Sequence, residues 1–282
     1  MTAVNDSAES PGATMPGLWR TAHALGPARP FLTYYDDQTG ERVELSFATF
    51  DNWVAKTANL MQDELALAPG DEVALLLPTH WQTPIWLVAC WTAGVVATVG
   101  EAGSAAAAEA VARAAVVVAG PESLDAALAC SGERIALALR PLGAPFTTVP
   151  AGFTDYAAVV PGCPDSFAAY EAVTGATTAL VADGKTWSHA ELAADAADAA
   201  SRWGLSASSR VLAGCGNATY PEIRAALTTE LAAGASLVLC RNVDPARLPG
   251  RMAAEKVTAR VMSVPGESGA TAGGSLGVLP VD

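Results

Sequence analysis

The chain has 282 residues, 51% of them hydrophobic and 16% charged, with a formal net charge of −13. That balance belongs to a folded globular chain and excludes a disordered one. With 16 Lys and Arg against 29 Asp and Glu, no clustered basic face forms, which argues against a nucleic-acid partner.

Residues 1–16 carry acids and no apolar core, so they read as a flexible tail rather than a signal peptide. The β-rich runs 31–35 and 42–45 flank Asp36, Asp37 and Gly40 and predict a hairpin. Ser46 is placed to cap a helix whose apolar residues, Phe47, Phe50, Val54, Ala58, Met61 and Leu65, recur every three or four positions. Residues 72–77 read as a buried parallel strand, Pro84 opens the next helix, and Gly94 ends it before a strand at 95–99. Residues 73–100 carry no formal charge, but Pro78, His80, Gln82 and Pro84 interrupt them, so they read as strand, turn and helix rather than a membrane span. Helices at 105–114 and 121–129 alternate with strands at 115–118 and 134–139, the pattern of an open α/β sheet.

From Thr178 the order begins again. A hairpin around Asp183-Gly184 precedes a helix from Ser188 to Trp203, a strand at 210–213, a helix opened by Asn217, Thr219 and Pro221, and a strand at 236–240. Aligning the two runs pairs Phe47 with Trp187, Pro84 with Pro221 and Gly94 with Gly234. The expectation is an internal repeat of two α/β units, 17–150 and 151–265, joined through 141–166. Asp244-Pro245 caps a last helix, 257–262 is a last strand, and 266–282 is a flexible Gly-rich tail.

Candidate chemistry is sparse. Gly184-Lys185-Thr186 is a relaxed match to a phosphate loop, but such a loop must follow a buried strand and open a helix, whereas here the three residues fall in a hairpin. Gly184, Lys185, Thr186 and His189 are the weak candidates for holding a cofactor, and no catalytic or metal-binding residue stands out. His189 at a helix start reads as a capping or packing residue, His23 as a surface one. His80, Asn217 and Tyr220 fall on the strand-end rim where doubly wound folds bind ligands. Five irregularly spaced cysteines suit a reducing cytoplasm. Gly266-Glu267-Ser268-Gly269 is one residue short of a nucleophile elbow.

The run from Leu45 to Gly100 resembles the opening of the acyl-adenylate-forming superfamily, which includes acyl-CoA synthetases, luciferase and peptide-synthetase adenylation domains. The resemblance rests on Ser46-Phe47 with Phe50, on Gly70-Asp71-Glu72-Val73-Ala74, on Thr79-His80 and on Ala93-Gly94. Ser188-His189-Ala190-Glu191-Leu192 resembles the helix start that follows that family's phosphate loop. The likeness extends from about Leu18 to Pro265, and its nearest parallel is the short, motif-poor relatives found in actinobacteria. It implies an α/β fold of two similar layered units, without the family's barrel and small C-terminal domain. The family's Ser/Thr/Gly-rich loop ending in Gly-x-Pro-Lys-Gly has no counterpart between Thr178 and Lys185, where Leu180 and Val181 stand instead. Its adenine- and ribose-binding motifs and adenylation lysine come after the end of this sequence.

The expected function is that of a degenerate, non-catalytic homologue that binds a small molecule or acts through a protein partner, with no cofactor. One alternative is an AMP-forming ligase that activates a carboxylic acid with ATP, its nucleotide site holding ATP or AMP, or that binds CoA. The other is a protein-interaction scaffold. A cytoplasmic protein with neither nucleic-acid nor membrane partner is expected under all three.

Overall fold

The computed structural model describes residues 13–262 and 279–280. Most of both expected tails, and all of 266–269, lie outside these residues. Where the tails are described, Met15 and Pro16 belong to a helix and Leu279–Pro280 is a short strand.

Helix α1 (Met15–Ala24) is capped by Thr14, whose hydroxyl accepts from the Gly17 N–H. Strands β1 (Pro30–Asp36) and β2 (Glu41–Ser46) form an antiparallel hairpin. Ser46 caps α2 (Phe47–Asn59), which runs on into a π-helical turn at Leu60–Glu64. Then β3 (Glu72–Leu76), α3 (Gln82–Ala93), β4 (Val96–Val99), α4 (Ala105–Arg113), β5 (Val116–Ala119), α5 (Leu124–Ala127) and β6 (Glu133–Ala136) alternate. The joining segment contains β7 (Thr154–Asp155) and α6 (Tyr156–Val159). A second hairpin, β8 (Thr178–Ala182) and β9 (Lys185–Ser188), leads to α7 (His189–Arg202), which starts with a capping box between Ser188 and Glu191. β10 (Arg210–Gly214) is followed by one continuous helical stretch: α8 (Tyr220–Ile223), a π turn at Arg224–Thr228, and α9 (Thr229–Ala233). β11 (Ser236–Arg241), α10 (Leu248–Ala254), β12 (Ala259–Met262) and β13 (Leu279–Pro280) complete the described chain.

Two sheets result, ordered β7-β6-β5-β3-β4-β8-β9 and β13-β12-β10-β11-β1-β2. Residue 150 does not divide them, because each opening hairpin joins the sheet built by the other half. Leu32 of β1 pairs with Leu237 of β11, and Leu180 of β8 pairs with Ala97 of β4, both in parallel. The two hairpins are built alike, each with a register shift near its start, between Pro30 and Leu32 and between Thr178 and Leu180. Their helix caps, Ser46 and Ser188, set the equivalence, so His189 rather than Trp187 corresponds to Phe47.

Side-chain alternation along the strands makes the layers. Val73, Leu75 and Leu77 join Phe31, Tyr34, Leu237 and Leu239 of the other sheet in one core, with α3 between them. Ala74, Leu76, Val117 and Ala119 face the other way, onto α4. Helix α3 is apolar on every side, and all its residues but Thr92 are buried, as a central-layer helix requires. The uncharged stretch 73–100 is therefore β3, α3 and β4, and no helix among the described residues is long and apolar enough to cross a membrane.

One glycine has no freedom to change. A Cβ on Gly132 would lie 2.0 Å from the Ala115 carbonyl oxygen, the same oxygen that accepts the Glu133 N–H at the start of β6. Gly132→Ala must push β6 away from β5, at a cost of about 3 kcal/mol. Urea denaturation of the variant is expected to show that loss.

Candidate functional site

The two sheets meet where β3 and β10 end. The turn after β3 carries Thr79 and His80, and the loop after β10 carries Gly216 and Asn217. They are tied across the boundary, since Asn217 Nδ2 donates to the Leu77 carbonyl at 3.0 Å and Thr79 Oγ1 to the Cys215 carbonyl at 3.1 Å. Between them lies a narrow, mostly apolar pocket of about 20 Å³, walled by Pro84 and Leu87 of α3, by Ile223, Ala226 and Leu227 of the α8–α9 stretch, and by Leu239 of β11. Its position at the C-terminal ends of parallel strands is where open α/β sheets place ligands.

Glu222 closes one side. Its carboxylate accepts from the backbone N–H groups of Gly216, Ala218 and Thr219 at 3.2, 3.1 and 3.0 Å, fixing the loop by the N-terminal capping logic that Thr219-x-x-Glu222 encodes. His80 forms the opposite wall and is 1% exposed. Its Nδ1 accepts from the Gln82 N–H at 3.3 Å, so the neutral ring carries its proton on Nε2. Among the described residues that N–H has no hydrogen-bond acceptor, and it lies 3.9 Å from Glu41 Oε2 on β2. Burial, then Arg241, lowers the His80 pKa to about 3 and keeps the ring neutral. Burial raises the Glu41 carboxyl, opposed by the Trp81 indole and reinforced by Asp36.

The helix behind the pocket is irregular. Its π turn places Thr229 Oγ1 on the Arg224 carbonyl at 2.7 Å, and π turns recur at functional sites. Glu230 follows at 0% exposure, with neither carboxylate oxygen hydrogen-bonded among the described residues. Burial raises its pKa to about 8.

The residues flagged by the phosphate-loop pattern sit beside this site rather than in it. Asp183 and Gly184, at φ 54° and 71°, are the two central residues of the β8–β9 turn. Lys185 lies on β9 with Nζ 3.3 Å from the Trp187 ring centroid, and Thr186 beside it is exposed. The turn caps the neighbouring helix, since Asp183 Oδ2 accepts from the Tyr220 N–H at 2.8 Å. A two-residue turn presents no row of backbone N–H groups to wrap a phosphate, so these residues do not fit a nucleotide's triphosphate. His189 is fully buried, neither ring nitrogen has a partner among the described residues, and burial lowers its pKa to about 4. Tyr220 stacks on Trp187 at 4.0 Å and hydrogen-bonds Asp195, so of the rim candidates His80 and Asn217 line the pocket. His23 is half-buried and packs against Trp19, and all five cysteines are buried and unpaired. No group of three His, Cys, Asp or Glu among the described residues is placed to hold a metal ion.

A TIGR03089 family protein of Mycobacterium tuberculosis is 42% identical over 235 residues, covering 82% of this chain and 91% of its own. The chain belongs to that family. Residues 18–140 also match the model of the AMP-binding enzymes, a similarity confined to that segment. The structure of an acyl-CoA synthetase from Brucella canis superposes with a TM-score of 0.72 at 17% identity, over 87% of this chain. At that identity the likeness is one of fold, and this chain spans 46% of the synthetase's length. The α/β fold expected from the resemblance is thus the fold observed, and no barrel is present among the described residues.

Proposed function

We propose that this family member is a non-catalytic relative of the AMP-binding enzymes, binding a small, largely apolar ligand in the pocket between its two sheets. The observation that carries this reading is the β8–β9 turn. Where the resemblance calls for a phosphate loop, there are two turn residues, and the nearby Lys185 amine is drawn onto Trp187. A cation over an indole face is attracted to it and already has an interaction that a phosphate would have to displace. The pocket offers apolar walls and a carboxylate already engaged by its own loop, which suits a ligand with an apolar body. It is narrow as it stands, so binding requires the π-containing helix to shift.

The test is ATP–pyrophosphate exchange with a panel of carboxylic acids, beside calorimetric titration with ATP, AMP and CoA. No exchange and no ATP binding are the expected results. Robust exchange, or ATP binding in the presence of magnesium that Lys185→Ala weakens tenfold, would establish the ligase reading instead, which the match to AMP-binding enzymes favours. We assign the protein to the cytoplasm on its unpaired, buried cysteines.

A further inference from the structure

At about 20 Å³ the pocket between the sheets has room for a single water, so a larger ligand enters only when a wall moves. One wall is α3, a regular helix; the other, Ile223, Ala226 and Leu227, belongs to the stretch that the π turn interrupts. Shortly after Leu227 in that stretch, Glu230 is 0% exposed and neither of its oxygens is hydrogen-bonded among the described residues. The Thr228 hydroxyl between them is buried without a partner in the same way. The interrupted wall thus carries the groups that gain most from reaching water.

Among the described residues, nothing packed against this stretch pairs with the acid. The buried face of α7 has His189 as its one titratable side chain, and the buried face of α1 has none. The charged residues of α7 are engaged elsewhere, Glu191 by Ser188, Asp195 by Tyr220 and Arg224, and Asp198 by Arg202. On α1, Arg20 is exposed and His23 packs on Trp19. Arg210 of β10 bonds Glu255, Arg241 of β11 bonds Glu122, and Glu222 holds its own loop. Cys215, just after β10, senses Glu230, and burial, then Glu222 and Glu230, push its thiol up to about 12.

We infer that Glu230 gates ligand entry: the stretch 220–233 shifts as the pocket opens, the carboxyl is hydrated, and its proton passes to solvent. This regulation rests on the pocket being the binding site proposed above. With the stretch closed, the carboxyl has a pKa of about 8, and hydration returns it to the ordinary 4.5. The open form therefore holds fewer protons than the closed one at any pH between these values. Rising pH favours it about tenfold per unit there, each ligand bound releases about one proton, and the dependence is flat on either side. His80 and His189, at about 3 and 4, titrate below this window, and Cys215 titrates above it.

Fluorescence titration of the full chain with N-phenyl-1-naphthylamine, an apolar probe that stays uncharged across this range, reads the coupling. Its affinity is expected to rise about a hundredfold between pH 5.5 and 7.5, and in Glu230→Gln to keep the pH 5.5 value throughout. Equal slopes in the two proteins, or no slope in either, would overturn the inference. If the probe binds at no pH, the pocket is not the binding site, and hydrogen exchange of the ligand-free protein decides the gate. Protection at 224–233 is then expected to fall about tenfold per pH unit relative to Glu230→Gln, with β5 protected alike in both. Equal protection of 224–233 in the two proteins, or a loss shared by β5, would show that Glu230 does not gate this stretch.

Discussion

Glu230→Gln stabilises the protein by roughly 4 kcal/mol at pH 8 and leaves it unchanged at pH 4. The reason is that this carboxyl is fully buried and has no hydrogen-bond partner among the described residues. Its pKa stands at about 8 in the fold against an ordinary 4.5. Below 4.5 both the folded and unfolded chains hold the proton, and burial of the acid costs nothing that depends on pH. As pH rises from 4.5 to 8 the unfolded chain ionises and the folded one does not, so stability falls across that window and then levels off. Glutamine has the same shape and never ionises, which removes the slope. For a chain of this size the gain corresponds to about 10 °C in Tm. A pH series of thermal melts, wild type against variant, reads it directly, and parallel curves from pH 4 to 8 would refute it. The acid limb of the same profile has other owners. His80 and His189 are held neutral with pKa values of about 3 and 4, so the stability they contribute above the ordinary histidine pKa of 6.5 is lost as pH falls below it.

That a buried acid is carried at such a cost fits its place. Glu230 follows the π turn in the same helical stretch whose Ile223, Ala226 and Leu227 wall the pocket. Local violations of packing rules collect at functional sites, and here the irregular backbone and the unpaired acid occur within seven residues of one another.

Local features of this fold were legible, and the non-local ones were not. Ser46, Ser188 and the Asp183-Gly184 turn announce themselves, because capping and turn geometry depend on a few adjacent residues. Which sheet a hairpin joins depends on contacts such as Leu32 with Leu237, far apart in sequence, and no local pattern carries that information. Helix α1 carries local signals as well. Thr14 and Pro16 mark a helix start, and Met15, Leu18, Trp19 and Ala22 repeat at helical spacing, although the acidic residues before them read as a tail through residue 16. The last helix begins after Arg247 rather than Asp244, because Asp244 uses its carboxylate on the Ala246 N–H and on Arg247 in a preceding turn. Within the site, His80 and Asn217 follow from their position at strand ends and Glu222 from the Thr219-x-x-Glu222 spacing. Glu230 gives no such sign, since a glutamate on a helix is ordinarily solvated and only the three-dimensional packing buries it.

Arg251→Met is expected to destabilise the protein by about 3 kcal/mol, and the double variant Arg251→Met/Asp37→Leu to recover most of that loss. The Arg251 guanidinium bonds both Asp37 oxygens and lies over the Tyr35 ring at 4.3 Å, with side-chain exposures of 7% and 4% for the pair. Burial opposes ionisation of Asp37, but the Arg251 hydrogen bond, the Asp244 N–H and the charges of Arg251 and Arg247 outweigh it and hold the carboxyl below its ordinary pKa. Removing the arginine alone leaves a desolvated carboxylate with only the Asp244 N–H at 2.7 Å and the exposed Arg247 at 3.7 Å. Removing both charges leaves an apolar contact in which only the part-buried Asp244 N–H loses its acceptor, so the two substitutions are strongly non-additive. Urea denaturation of the two single variants and the double completes the cycle, and additive losses would show that the pair is not coupled. The pair also bears on the site. It fastens the β1–β2 turn to α10, and the β2 strand that leaves this turn begins with Glu41, the residue facing His80 across the two sheets. Loosening the turn in Arg251→Met therefore frees Glu41 and exposes the backbone of β2 to hydrogen exchange, while β8 and β9, in the other sheet, remain protected.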